Sequence, residues 1–251
     1  MNDTCLSIEG VRKRFGEVEV LAGIDARLRR GRITAFVGPN GAGKTTLFNA
    51  ITGELPLDSG CVVLNGRGIS GLPAWNIAAM GVGKLFQDVR VFRNMSVIDN
   101  VAAATVSKGG LEIVSGFLKT DAQVEKARRS ARLLLEEVGV EGRLDGPAGE
   151  LSWGNQKLAA VARLLAGDFQ VVLLDEPAAG VSPTTVESLK RLIRRMALEK
   201  EMTVGLIEHN TNFVKDLADW VVVLKEGRVC DEGPAEQVLH KPQNFELLCG
   251  L

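Results

Sequence analysis

The chain of 251 residues has no tyrosine, two histidines and four cysteines, and the scarcities exclude whole classes of site. Cys5, Cys61, Cys230 and Cys249 show no Cys-Xaa-Xaa-Cys spacing and no neighbouring histidine, which argues against a zinc site and against a disulfide framework. A reduced, cytosolic chain is the expectation. No stretch approaches the 18 or so consecutive apolar residues of a membrane span. The amino terminus MNDTCLSIEG lacks a basic stretch followed by an apolar run, so no signal peptide is expected and membrane association should run through another protein. An excess of one charge is missing too. Thirty Lys and Arg against 31 Asp and Glu leave a formal charge of −1 and a pI near 6.2, which removes the general electrostatic case for anionic lipid or nucleic acid. No nucleic-acid partner is expected. Internal repeats and low-complexity tracts are also absent, and the length suits one large domain or a core with a subdomain.

What is present is an alternation of short apolar runs with helical spacing. Strand patterns cover Cys5 to Val11, Gly16 to Leu28 and Ile33 to Val37, and a helix follows from Thr45 to near Gly53, before Pro56. Cys61 to Leu64 reads as a strand entering an Asn65-Gly66 turn. Between Val89 and Gly149 helical spacing takes over. Its clearest face is Val124, Ala127, Ala131, Leu134, Leu135 and Val138, after Asp121. The strand and helix rhythm then returns, with helices at Asn155 to Ala166 and Thr184 to Glu199 and strands at Val171 to Leu174, Thr203 to Ile207 and Val221 to Leu224. This pattern predicts an α/β core with a helical insertion.

Three segments carry chemistry. The first is GPNGAGKTT, from Gly38, Pro39, Asn40, Gly41, Ala42 and Gly43 to Lys44, Thr45 and Thr46. It fits Gly-x-x-x-x-Gly-Lys-Ser/Thr in full: glycines let backbone N–H groups curl around phosphate oxygens, and the following helix aims its positive end at them. Lys44 adds a point charge toward the β- and γ-phosphates, Thr45 is placed to coordinate magnesium, and Thr46 supports the α-phosphate side. The second is the buried-strand run Val171 to Leu174 ending in Asp175-Glu176. Neighbouring side chains at a strand end point to different sides, so Asp175 suits magnesium and Glu176 suits polarising the water that attacks the γ-phosphate. The third is LSWGNQK at 151 to 157, where Ser152 and Gly154 flank a turn that opens a helix. This is a second anion-binding helix start, far in sequence from the phosphate loop.

In their chain order of phosphate loop, LSWGNQK turn and acidic strand end, the three segments resemble the ATP-binding subunit of an ABC transporter over nearly the whole chain. In that family the third segment reads LSGGQ and grips the γ-phosphate of ATP seated in an opposing subunit. The resemblance implies a P-loop NTPase core of ABC-ATPase type with an N-terminal antiparallel β subdomain and an inserted helical subdomain. Its expected extents are 1–88 and 161–251 for the nucleotide-binding core and 89–160 for the helical subdomain carrying the signature segment. It implies ATP and Mg2+ as ligands, with Ser152, Gly154 and Asn155 in the composite site. Three further positions take roles from it. Phe15 stands where an aromatic ring meets adenine, Gln87 in LFQD matches the glutamine that senses magnesium and the attacking water, and His209 in Glu208-His209-Asn210 matches the switch histidine that bonds the γ-phosphate. On their residues alone, Phe15 also fits a core strand aromatic, Gln87 a surface-loop residue and His209 a structural strand-end histidine.

Implied partners are a second ATPase subunit, transmembrane permease subunits and, through them, a solute-binding protein, with the chain peripheral at the cytoplasmic face of the membrane. The strings DEPAAG at 175 to 180 and IEH at 207 to 209, with Trp153 inside the signature, look most like importers of branched-chain amino acids and their relatives for urea and short amides. Departures from the family pattern are Trp153 for the first glycine, Asn155 for glutamine and Ser182 for Asp or Asn. A soluble cassette acting on nucleic acid or ribosomes would carry a second cassette or a long coiled coil between the nucleotide motifs. A regulatory subunit without turnover would have lost Glu176 or His209.

Overall fold

The computed structural model describes residues 3–87, 90–105, 121–242 and 244. Cys249 and the stretch 106–120 of the expected helical insertion lie outside the described residues. The chain divides into two compact units, one of residues 1–84, 170–176 and 193–251 and the other of 85–169 and 177–192.

The first unit contains two sheets. Strands β1 (Thr4–Phe15) and β2 (Val18–Arg29) form an antiparallel pair, and β4 (Ser59–Leu64) and β5 (Arg67–Gly68) extend it in the order β2-β1-β4-β5. The second sheet runs β10-β9-β3-β8-β7-β6, made of β3 (Ile33–Val37), β6 (Val82–Leu85), β7 (Val171–Asp175), β8 (Thr203–Ile207), β9 (Trp220–Lys225) and β10 (Arg228–Pro234). Strands β9, β3, β8 and β7 pair in parallel, and β10 joins β9 antiparallel. Every residue of β3, β7 and β8 is buried, which is why these runs read as continuous apolar strings rather than as alternation.

The core of this unit joins Leu6, Ile8, Leu21 and Leu28 of the antiparallel sheet to Phe36, Leu173, Ile207 and Val222 of the parallel one. Helix α1 (Lys44–Ile51) adds Leu47, Phe48 and Ile51, with Phe48 meeting Phe36 edge to face at 5.6 Å between centroids. Gly205 makes room there, since a Cβ on it would lie 2.7 Å from Leu173 Cδ2. Strands β6 and β10 and the helices α2 (Ala74–Ala79), α7 (Thr211–Leu217) and α8 (Ala235–Val238) go beyond the sequence expectation. They are short, and short elements carry too few periods to stand out.

The second unit is helical in its described parts: α3 (Val97–Thr105), α4 (Asp121–Glu137), α5 (Trp153–Ala166) and the first turns of α6 (Pro183–Leu198). The expected apolar face of α4 is only half used, with Ala131, Leu135 and Val138 buried but Val124 43% exposed. Arg128 and Arg132 of α4 bind Asp145, and Arg128 also pairs with Asp99 of α3. Buried Asn100 organises the turn before α3, accepting from the Phe92 N–H and donating to the Phe92 and Ser96 carbonyls. Among the described residues no helix is long and apolar enough to cross a membrane.

Candidate functional site: a phosphate loop and a paired carboxylate at one sheet edge

Parallel register sets the first half of the site. Phe36 pairs with Ile207, and Ile207 pairs with Asp175, so β3, β8 and β7 end side by side. The loops leaving at Gly38, Glu176 and Glu208 therefore emerge from one edge, the carboxyl edge where open α/β sheets bind ligands.

The phosphate loop is glycine-dependent at defined points. Gly38 has φ 144° and a Cβ there would sit 2.0 Å from the Leu224 carbonyl oxygen; Gly43 has φ 97° and its Cβ would sit 2.7 Å from that of Val20. No side chain fits at either place. Gly43 then caps α1, whose first residue, Lys44, is buried. The Lys44 ammonium donates to the Gly38 and Pro39 carbonyls at 2.8 and 2.9 Å, which holds the loop's two ends around it. Burial lowers its pKa, and the attraction of Glu176 and Asp175 opposes that shift.

Asp175 is buried at 2% exposure. Desolvation raises its pKa, while the Thr45 hydroxyl, Lys84 and Lys44 pull it back. Thr45 Oγ1 stands 3.4 Å from Asp175 Oδ1, long for a hydroxyl-carboxylate bond. Adjacent ligands at about 2.1 Å on one octahedral cation lie about 3 Å apart, so these two hard oxygens fit Mg2+. Among the described residues no group of three or more His, Cys, Asp or Glu could hold a metal ion.

Glu176 adopts φ 49°, a left-handed conformation that costs a non-glycine residue about 1–2 kcal/mol. Its N–H donates to the Ile207 carbonyl at 3.0 Å, which anchors the turn, and its Oε1 lies 3.0 Å from His209 Nε2. The strain re-aims the side chain off the strand and brings the second carboxylate to the histidine. Asn210 caps α7 by accepting from the Phe213 N–H, which fixes the chain just past His209. A pocket of about 280 Å³ is lined by Asn40 through Thr46, Val20, Glu176 and His209. A larger concavity of about 590 Å³, beside Asp25, Arg29 and Trp220, has none of this chemistry.

The remaining sequence-identified residues lie elsewhere. Phe15, at the end of β1, is 50% exposed, with Lys13 Nζ 5.7 Å from its ring centroid; it does not pack in the core, nor does it line the pocket. Gln87 lies exposed just beyond β6, in the helical unit. Ser152 caps α5, its Oγ accepting from the Asn155 N–H at 3.3 Å and from Asn155 Nδ2 at 3.1 Å. Both contacts use the oxygen's lone pairs and leave its O–H to donate. Asn155 Oδ1 in turn accepts from the Glu141 N–H at 3.0 Å, so asparagine at this position closes the turn on itself. Ser182, the other departure, spends its hydroxyl on Thr184, Thr185 and the start of α6. Two residues escaped the sequence reading. Lys84 of β6 pairs with Glu54 and Asn49 and acts electrostatically on Asp175, and Lys157 of α5 is fully buried; a lysine inside an apolar run was the available signal for each.

Comparison with known proteins agrees with this construction. The ABC transporter family model matches residues 21–179. The chain is 34% identical over 253 residues to the high-affinity branched-chain amino acid transport ATP-binding protein BraF of Pseudomonas aeruginosa, covering 100% of this chain and 99% of the relative. It is 35% identical over 254 residues to LivG, of the same description, from Salmonella typhimurium, again covering 100% and 99%. A crystal structure of a nucleotide-free ATP-binding cassette from an ABC transporter matches with TM-score 0.82 and 30% identity, covering 97% of this chain and 98% of that one. The ADP conformation of an ATP-binding cassette matches with TM-score 0.81 and 29% identity over 99% of both chains. A nucleotide loop, a signature helix and an acidic strand end in this order, on this fold and with these relatives, place the chain in the ABC transporter family as an ATP-binding cassette.

Proposed function

We propose that this ABC-family ATPase powers an importer of branched-chain amino acids, working as one of two cassettes that close around ATP and pass the motion to membrane-spanning subunits. The observation that carries the catalytic part is the single pocket holding Lys44, Thr45, Glu176 and His209, with the Glu176-His209 contact at 3.0 Å. Backbone N–H groups of the glycine loop and the Lys44 ammonium bind the β- and γ-phosphates. Glu176 orients the attacking water and takes up its proton; His209 holds that carboxylate in place through Nε2 or, turned to the nucleotide, gives the same N–H to the γ-phosphate. Thr45 and Asp175 would hold Mg2+, with Gln87 completing the set. The ion supplies charge neutralisation on the phosphates. Phe15 offers an exposed ring face to adenine.

The substrate class rests on the relatives, whose names specify branched-chain amino acid transport over the full length of the chain. In this reading Ser152, Gly154 and Asn155 face the ATP of the second cassette, residues 89–160 form the subdomain that meets the permease, and the chain sits at the cytoplasmic membrane face. A solute-binding protein delivers the amino acid outside. The test is to isolate the Glu176→Gln protein from native membranes and identify what accompanies it. Permease subunits and a solute-binding protein that binds leucine, isoleucine or valine are the expected result. A solute-binding protein for another class overturns the substrate assignment, and recovery of ribosomes overturns the transport role.

A further inference from the structure

The signature helix carries a fully buried lysine. Lys157, in the second turn of α5, is 1% exposed, and its ammonium donates to the Ala179 carbonyl at 2.7 Å. Burying an ammonium is costly unless its hydrogen bonds are made, so an apolar residue would serve packing better at this position. Two more contacts tie the same helix to the same segment. A Cβ on Gly180 would lie 3.5 Å from Trp153 Nε1, at van der Waals distance, so the indole stands beside Gly180, whose φ of 71° favours glycine. A Cβ on Gly154 would lie 3.1 Å from Thr185 Oγ1, which brings the start of α5 against the start of α6. All three contacts lie within the helical unit. The segment they grip, 177 to 185, follows Glu176 directly in the chain.

We propose that Lys157 and Trp153 are positioning residues that clamp the signature turn onto the segment following the catalytic glutamate, so that Ser152 and Gly154 are presented in one fixed orientation. The functional half of this rests on the two-cassette ATPase reading. Lys157 touches no ATP. It acts by holding the Ala179 carbonyl, which fixes the turn ending at Gly180, beside which the indole of Trp153 stands. The side chain next to Ser152 is thereby locked, and the Ser152 hydroxyl with it. Trp153, unlike the small residue usual at this position, gives the clamp a rigid lever at little cost in side-chain entropy.

The test uses the full chain with Trp75→Phe and Trp220→Phe, so that Trp153 alone fluoresces. Lys157→Met keeps the stem and removes the donor; Lys157→Arg keeps a cation of similar reach. In Lys157→Met the Trp153 emission should move to the red and its acrylamide quenching should rise, while Lys157→Arg should return both to the starting values. In turnover assays with the second cassette, Lys157→Met should raise the KM for ATP about tenfold, the effect of losing one charge-assisted hydrogen bond, with kcat changed far less. Binding of ATP to the isolated chain should stay unchanged. Should Lys157→Met fail to fold, Gly180→Asn provides the second handle. Asparagine tolerates the left-handed conformation while its amide displaces the indole, and the same emission shift and KM rise are expected. Unchanged Trp153 emission in the folded variant overturns the clamp, as does an unchanged KM in an assembly that hydrolyses ATP. Absence of hydrolysis in the unsubstituted assembly instead counts against the two-cassette reading, and the emission measurements on the isolated chain still decide the clamp.

Discussion

The phosphate loop and the signature turn are both helix starts with backbone N–H groups aimed outward, yet they are built in opposite ways. The loop is fixed from within: Gly38 and Gly43 lie where any side chain would strike a carbonyl, and buried Lys44 bonds the loop's own backbone. Beside it stand Glu176 and His209 in the same pocket, with Asp175 against Thr45. At the signature turn Ser152 is exposed, and Asn155 closes on Ser152 and Glu141. Its first helical turn holds no acidic residue to quench the positive helix end. In the proposed function one region is a site and the other a presenting surface. Substitutions in the first should therefore act on binding or on the chemical step, and those in the second on assembly.

The largest separation should come from Glu176→Gln. Loss of the group that takes the proton should lower turnover about 10³-fold while ATP affinity changes little, because the amide keeps the shape and the contact with His209. Single-turnover hydrolysis together with nucleotide titration checks this; near-normal turnover removes Glu176 from its role. Next comes Lys44→Ala, which should weaken ATP binding by about 100-fold, the loss of charge-assisted bonds to two phosphates. An unchanged dissociation constant from calorimetry would mean that the glycine loop binds phosphate without its lysine.

How much of this contrast the sequence displayed depended on the kind of signal. Continuous apolar runs ending in Gly38, Asp175 and Glu208 mark buried parallel strands, and strand ends are where ligands collect, so the sheet edge that gathers Lys44, Thr45, Glu176 and His209 is legible in the sequence. The left-handed turn at Glu176 is not, since a glutamate, unlike glycine or asparagine, gives no signal of a positive φ. Lys84 and Lys157 were illegible for the related reason that a charged residue inside an apolar pattern shows its cost but not its partner. On α4 the periodic face marks the helix but not how much of it is covered, because periodicity gives the direction of a side chain and not the extent of its neighbours: Val124 faces solvent.

A mixture of two defective chains sharpens the comparison. Ser152→Ala spoils only the surface offered to the opposing ATP, and Lys44→Ala spoils only the chain's own loop. In a mixed pair both lesions fall on one composite site and the other stays intact. Turnover should rise above that of either variant alone, with mixed pairs verified by differential tagging. No rise means that the surface and the loop do not serve opposite sites.

The smallest effects are on the fold itself, and they should have opposite signs in the two regions. The raised pKa of Asp175 means that the folded state holds this proton more tightly than the unfolded chain, so its stability cost is absent below the ordinary carboxylate range and grows as pH rises through the elevated value. Asp175→Asn, which removes the buried charge and can still accept from Thr45, should raise the Tm of the nucleotide-free chain at neutral pH by about 2–4 °C. The gain should shrink as pH falls toward the ordinary carboxylate range. Ser152→Ala deletes a helix cap worth about 1 kcal/mol and should lower the Tm by about 2–4 °C, with no such pH dependence. Thermal melts across pH decide the matter. A loss of stability in Asp175→Asn would show that the Lys84, Lys44 and Thr45 contacts outweigh desolvation, and the catalytic edge would then be stabilised by its charges rather than strained by them.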